Sequence, residues 1–163
     1  MTKKQYLIIA VSLCALTVLV VLAAVLHAGS AGKTEFTPPK ADTSASREAF
    51  DYSEAEGYEI FSANGFYQVG ICGALTLSDG KIDVLFVSPE SNGVLLMLKI
   101  TDKNGNILGQ TGTIEPGQHI ESLTLSADLK ETTEVTMKVM AYDPQTYYSA
   151  GTISLGTSIY VEQ

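Results

Sequence analysis

Apolar and polar residues alternate with a period of two from Phe66 to the end of the chain, a pattern that predicts strands and no long helix. Tyr67, Val69, Ile71, Gly73, Leu75 and Leu77 mark a first strand, closed by Ser78-Asp79-Gly80. Ile82, Val84 and Phe86 mark a second, which ends in the turn-forming stretch Ser88-Pro89-Glu90-Ser91-Asn92-Gly93. Val94, Leu96, Leu98 and Ile100 form a third, and Leu95 and Met97 make it apolar on both faces, as in a central strand. Asn104-Gly105 then predicts a hairpin with a type I′ turn, leading into a short strand over Ile107 to Thr111. After Pro116-Gly117, Ile120, Leu123 and Leu125 mark another strand. Val135, Met137, Val139 and Ala141 alternate with Thr136, Lys138, Met140 and Tyr142. Beyond Asp143-Pro144, the last strand reads Ile153, Leu155, Thr157, Ile159, Val161. Seven strands with turn signals every ten residues or so predict an all-β, seven-stranded immunoglobulin-like sandwich over residues 66–163. A domain of that length can hold one core without covalent staples.

The other end of the chain has a different pattern. Tyr6 to Leu26 is an apolar run without a charge, reaching about 31 Å as a helix, close to the hydrocarbon thickness of a bilayer. A single transmembrane helix over residues 6–27 is the expectation, in contact with membrane lipid, with residues 1–5 as a cytoplasmic tip. Lys3 and Lys4 precede the run and Lys33 follows it, so the positive-inside bias places the amino terminus in the cytoplasm. The carboxyl-terminal domain is then extracellular, tethered to the plasma membrane. A cleaved signal is the competing reading, and Ala28-Gly29-Ser30-Ala31 supplies small residues for a peptidase. The apolar core exceeds the usual signal length, which favours a retained anchor. Leu13 precedes Cys14 and the apolar run continues past it, which argues against lipidation there.

Residues 28–65 lie between these two parts and read as an acidic, partly disordered stalk. From Thr34 to Ile60, seven acids (Glu35, Asp42, Glu48, Asp51, Glu54, Glu56, Glu59) face only Lys40 and Arg47. A flexible coil of this length spans about 34 Å. Ser46 to Glu56 has the capping residue and apolar spacing of a short helix. Phe50, Tyr52, Tyr58 and Phe61 are unusual in a plain linker and suggest that part of the segment docks on the domain.

Charge sharpens the picture by exclusion. The net charge is -8, and all eighteen acidic residues follow the apolar run, against eight of the ten basic ones. Such a surface repels nucleic acid, and no cluster of Lys or Arg offsets it. Cys72 is the only thiol after the apolar run, so no disulfide can form within the outer part of one chain. Its neighbours Ile71, Gly73 and Ala74 favour burial, and the alternative is a bridge between two chains.

Ile114-Glu115-Pro116-Gly117, then Ile120, Leu123, Leu125 and Leu129, then Ala141-Tyr142-Asp143-Pro144, resemble small membrane-anchored or secreted immunoglobulin-like proteins of Gram-positive bacteria. Relatives in that group often carry a Gly-x-Tyr entering the penultimate strand, where this chain has Thr132-Thr133-Glu134. The resemblance implies a fold and a setting, with no established activity.

No residue is expected to be catalytic, to bind a cofactor or to hold a metal. His27 and His119 are the only histidines, and neither has a serine–acid or cysteine constellation nearby in the sequence. His119 reads as an exposed loop residue. Asp102-Lys103-Asn104-Gly105-Asn106 lacks calcium-loop spacing, since Gly105 falls at position four and Thr113 at twelve. The best binding candidate is the loop between the last two strands, with Tyr142, Gln145, Tyr147 and Tyr148 around Asp143-Pro144. The plainer reading is that these tyrosines cover the sandwich end. Strand parity puts this loop at the same end as the start of the first strand. The expected function is a non-enzymatic surface module that binds a protein partner or joins a cell-envelope assembly. A structural subunit of a secretion or conjugation apparatus, held through its helix, is one alternative; an inhibitor of an extracellular hydrolase is another.

Overall fold

The computed structural model describes residues 37–49, 51–52, 55–63 and 65–161. The expected tip, the membrane span over residues 6–27 and the first part of the stalk lie outside the described residues. Among those described, no helix is long and apolar enough to cross a membrane.

The described chain is all-β, with nine strands: β1 (Tyr58–Ala63), β2 (Tyr67–Cys72), β3 (Leu75–Ser78), β4 (Lys81–Val87), β5 (Leu95–Asp102), β6 (Ile107–Gln110), β7 (His119–Thr124), β8 (Thr133–Tyr142) and β9 (Ser149–Val161). They pair in the order β1-β2-β4-β3-β9-β8-β5-β6, with β7 on β4. The sheet doubles over into a β-sandwich-like fold, one half built on β1, β2, β4 and β7, the other on β9, β8, β5 and β6. Val69, Ile71, Ile82, Val84 and Phe86 from the first half meet Leu96, Leu98, Ile100, Met137, Val139 and Ile159 from the second in one core. Period-two alternation carries this arrangement, most plainly in β8, where Val135, Met137, Val139 and Ala141 are buried and Thr136 and Lys138 are exposed.

Nine strands replace the expected seven for two reasons. The first expected strand breaks at Gly73-Ala74. Before the break β2 pairs with β1 and with Val87 of β4; after it, β3 pairs with Ile82 of β4 and runs parallel to the end of β9. The chain thus passes from one half of the sandwich to the other. The Thr157 hydroxyl donates to the Gly73 carbonyl at 2.6 Å, and the Gly73 N–H donates to the Gly57 carbonyl at 2.9 Å, so the break leaves neither group unpaired.

The second reason is that the folded unit begins at Pro38 rather than near residue 66. Tyr58–Ala63, assigned by its acidic surroundings to the stalk, is a strand on β2. The Tyr58 ring lies over Gly70, its hydroxyl filling the space that a Cβ would take there. Tyr52 stacks on Tyr58 at 4.5 Å between ring centroids. The aromatic residues that looked out of place in a linker are therefore packing groups. The short helix expected from Ser46 is absent among the described residues of that stretch.

Residues 40–46 form a strap along the connection between β6 and β7. Lys40 and Asp42 exchange hydrogen bonds with Thr113 at 2.8 and 2.9 Å, while Ser46 and His119 exchange a pair at 3.0 and 2.9 Å. Thr113 follows the segment that extends β6 along β5, and His119 begins β7, so one short segment ties together edges from both halves of the sandwich. The Gly112 N–H donates to Asp42 Oδ2 at 2.6 Å. A Cβ at Gly112 would meet the Asp42 nitrogen at 2.6 Å and the Lys40 carbonyl oxygen at 2.7 Å. Only glycine leaves room for the strap.

Both short hairpins are built by aspartates. Asp79 and Gly80 both have positive φ, 49° and 75°, which is the type I′ pattern for a two-residue loop. The Asn104-Gly105 hairpin forms as expected, with a different turn: Gly105 alone has positive φ, 83°, after a Gly105 N–H to Asp102 carbonyl bond of 3.0 Å. This is a type I turn followed by a left-handed glycine. Asp102 selects it, because its Oδ1 accepts the N–H groups of both Asn104 and Asn106 at 2.8 Å. A side chain that captures the backbone can override the preference of a dipeptide.

Gly112→Ala is expected to displace the strap and cost about 1–3 kcal/mol by overpacking. Thermal unfolding combined with hydrogen exchange checks this: the loss of protection should concentrate at Asp42, Thr113, Ser46 and His119, with the β5–β8 pairing unchanged.

Candidate functional site

The loop between β8 and β9 is held by Asp143. Its Oδ1 accepts the N–H of Gln145 at 3.0 Å, the N–H of Thr146 at 2.8 Å and the Thr146 hydroxyl at 2.9 Å. Its main chain pairs as well, with the Tyr148 carbonyl at 2.9 Å and the Tyr147 N–H at 2.9 Å. Tyr147 takes a left-handed backbone, φ 57°, to close the turn. A loop with this many internal bonds has paid its ordering entropy within the fold.

The four expected contact residues have different environments. Tyr142 ends β8 half-buried, with its hydroxyl 3.6 Å from the Met140 sulfur. Tyr147 is half-buried and Gln145 exposed. Tyr148 is 76% exposed, among the most exposed large apolar side chains described. The loop borders the start of β2, since Gly151 lies beside the Tyr67 ring. At this end the Asn92 side chain also pairs with the Gln68 main chain in both directions, at 2.9 and 2.7 Å, where β4 has already stopped.

A second feature was not foreseen. A cleft of about 640 Å³ opens between β1 and β9, lined by Glu59 and Phe61 on one side and by Ser154, Leu155 and Gly156 on the other, with Met137 also reaching it. β1 pairs only with β2, and β9 pairs with β3 only from Ile159 onward, so two free strand edges flank the opening. The sequence hides the cleft because the acidic composition places β1 in the stalk. The strand-favouring residues Tyr58, Ile60 and Phe61 were the available signal.

Two residues with reactive side chains have structural surroundings. Cys72 is 4% exposed, and its thiol lies 3.1 Å from the Glu56 carbonyl oxygen. Burial pushes the thiol pKa up, a main-chain hydrogen bond from Ala74 only partly opposes this, and the negative charges of Asp83 and Glu56 add to the rise. Such a thiol is a poor nucleophile. His119 is not the exposed loop residue expected: it begins β7 and is 7% exposed, because the strap pairs with its main chain. Its Nε2 lies 3.7 Å from Glu121 Oε1. Among the described residues, no three His, Cys, Asp or Glu side chains converge as metal ligands.

Three turn aspartates have lowered pKa values. At Asp143 the cause is the Thr146 N–H and hydroxyl, then the Gln145 N–H. At Asp102 it is first the Asn106 side chain. At Asp42 burial acts to raise the value, but hydrogen bonds from Ser44 and Gly112 outweigh it. Each carboxyl ionises more readily in the fold than in the unfolded chain, where its value is near 3.8. The stabilisation is therefore complete above that value and is lost as pH falls below it. Equilibrium unfolding across pH 2 to 7 should show a stability plateau above about pH 5 and a decline below about pH 4. Asp143→Asn combined with Asp102→Asn should flatten part of that decline. For Cys72, a chromogenic disulfide reagent applied to a Cys14→Ser variant should react slowly with the native protein and promptly in denaturant, with no thiol-dependent dimer on a non-reducing gel.

No family model matches the chain, and no curated protein matches it. Among solved structures, the chain is similar to the crystal structure of CopC from Methylosinus trichosporium OB3b, at 13% sequence identity and a TM-score of 0.30, with 64% of this chain and 93% of that chain covered.

Proposed function

We propose that this protein is a non-enzymatic, membrane-anchored extracellular module, an immunoglobulin-like β-sandwich that binds a protein partner in the cell envelope. The observation that carries the reading is the Asp143-clamped loop presenting Tyr148 at 76% exposure. A tyrosine on a fixed loop offers large contact area and a polar tip, and little further entropy is lost when it is covered. The apolar run over residues 6–27 supports the anchor, and the acidic excess that follows it supports a solvated outer domain. The immunoglobulin-like assignment draws on two antiparallel halves whose first strand divides between them at Gly73. The resemblance to small immunoglobulin-like proteins of Gram-positive bacteria points the same way.

Affinity capture from solubilised membranes tests this, with the full chain compared against residues 38–163 alone. Both forms should recover the same protein. Tyr148→Ala should reduce recovery about tenfold, as for an aromatic hot spot, and Tyr148→Phe should retain most of it. If only the form carrying residues 6–27 recovers a protein, the helix is the interface and the reading falls.

A further inference from the structure

The two open sides of the sandwich are treated differently. On one side the strap at residues 40–46 satisfies main-chain groups from both halves, at Thr113 and His119. On the other, the edges of β1 and β9 face the cleft and have no such cover among the described residues. A free edge is normally blunted by a charged side chain, a proline or a bulge. β9 runs for 13 residues without a charge or a proline, and its one register irregularity, opposite Ala141-Tyr142, leaves the edge from Thr152 onward regular. Indeed no charged residue occurs from Pro144 to Val161.

The lining states what would fit. Gly73, Ala74, Ser154 and Gly156 leave room for a backbone to approach, while Phe61, Leu155 and Met137 offer apolar contact. Glu59 is the one charged residue in the lining and has no ion-pair partner among the described residues. Its carboxylate lies in a chain of net charge -8, which disfavours an acidic occupant and a second copy alike.

We propose that the cleft between β1 and β9 receives an extended basic peptide segment of another protein, added as a strand along the free edge of β9. Main-chain hydrogen bonds to that edge supply affinity, and alternate side chains select the sequence. One face of the segment sets apolar side chains against Phe61 and Leu155. A lysine or arginine beside them meets Glu59. Over Thr152 to Gly156 the edge accommodates about five residues at ~3.3 Å each. This site does not depend on the Tyr148 loop, which is a separate surface.

The test is selection of a phage-displayed library of random dodecapeptides on the full chain in detergent micelles, followed by binding of the synthesised winners. The winners should alternate apolar residues and carry Lys or Arg. Their binding should protect amides in the first half of β9 from hydrogen exchange. Gly156→Trp should weaken them at least tenfold without lowering the thermal midpoint, because a Cβ there points into open space. Glu59→Lys, at an exposed position, should weaken basic winners by a similar factor and turn a repeated selection toward acidic ones. Ser154→Trp, also exposed, replaces the glycine variant if that one misfolds. Absence of enrichment over an unrelated acidic protein would overturn the proposal. So would full binding to the plugged variants, protection confined to residues 143–148, or self-association of the chain that the plugging variants abolish.

Discussion

A sheet ends in a row of unpaired main-chain N–H and C=O groups, and most of this molecule is organised by how those rows are covered. The core alone would allow the two halves to be built from β2 to β9 in several ways. What singles out the observed one is the traffic of strands between halves. β3 leaves β2 at Gly73 and joins β9 at Ile159 to Val161, so β9 gains a second partner there. The strap comes back from a segment seventy residues earlier to cover the connection between β6 and β7. Gly112 is where this arrangement is least forgiving, because the strap backbone occupies the space of a side chain there.

Acidic residues account for much of the local geometry. Asp42, Asp102 and Asp143 each turn a carboxylate toward main-chain N–H groups within four residues or across the strap. A carboxylate accepts such bonds more strongly than a neutral oxygen, and at Asp42 they outweigh the cost of partial burial. Part of the negative charge is therefore a by-product of turn construction. By contrast, the exposed Arg47–Glu115 pair at 2.6 Å adds little, since both side chains are more than half exposed.

Seven of the nine strands were legible because period-two alternation survives wherever one face is buried. The core positions of β4, β5 and β8 fall where the alternation puts them. Three features of the backbone were not legible, each for a physical reason. β1 carries Glu59 amid acidic neighbours, so composition argued for a tether while the pairing with β2 decided otherwise. The break at Gly73 looks like continued alternation, since the buried residues on either side belong to different halves of one core. The Asn104-Gly105 turn followed Asp102 rather than its own dipeptide preference. Of the candidate loop, position and sequence were readable, but which of its tyrosines is exposed was not, since Tyr148 follows a left-handed backbone at Tyr147. The cleft could not be anticipated without β1.

The free edge of β9 also explains how an acidic balance serves a chain that leaves such an edge uncapped. Copies of a domain that all carry excess negative charge repel one another before strand edges come close, an effect that acts over about a Debye length, ~8 Å at physiological salt. The usual defence is local, a lysine pointed along the edge. Here the defence is spread over the whole surface, and β9 itself stays neutral. A spread defence differs from a local one in what it permits. A lysine in β9 would reject every strand, whereas a general negative field rejects only partners of the same sign and draws in those of opposite sign. The absence of charge from Pro144 to Val161 and the excess of it elsewhere are thus two parts of one arrangement, selective by charge at the only long edge that the described fold leaves uncovered.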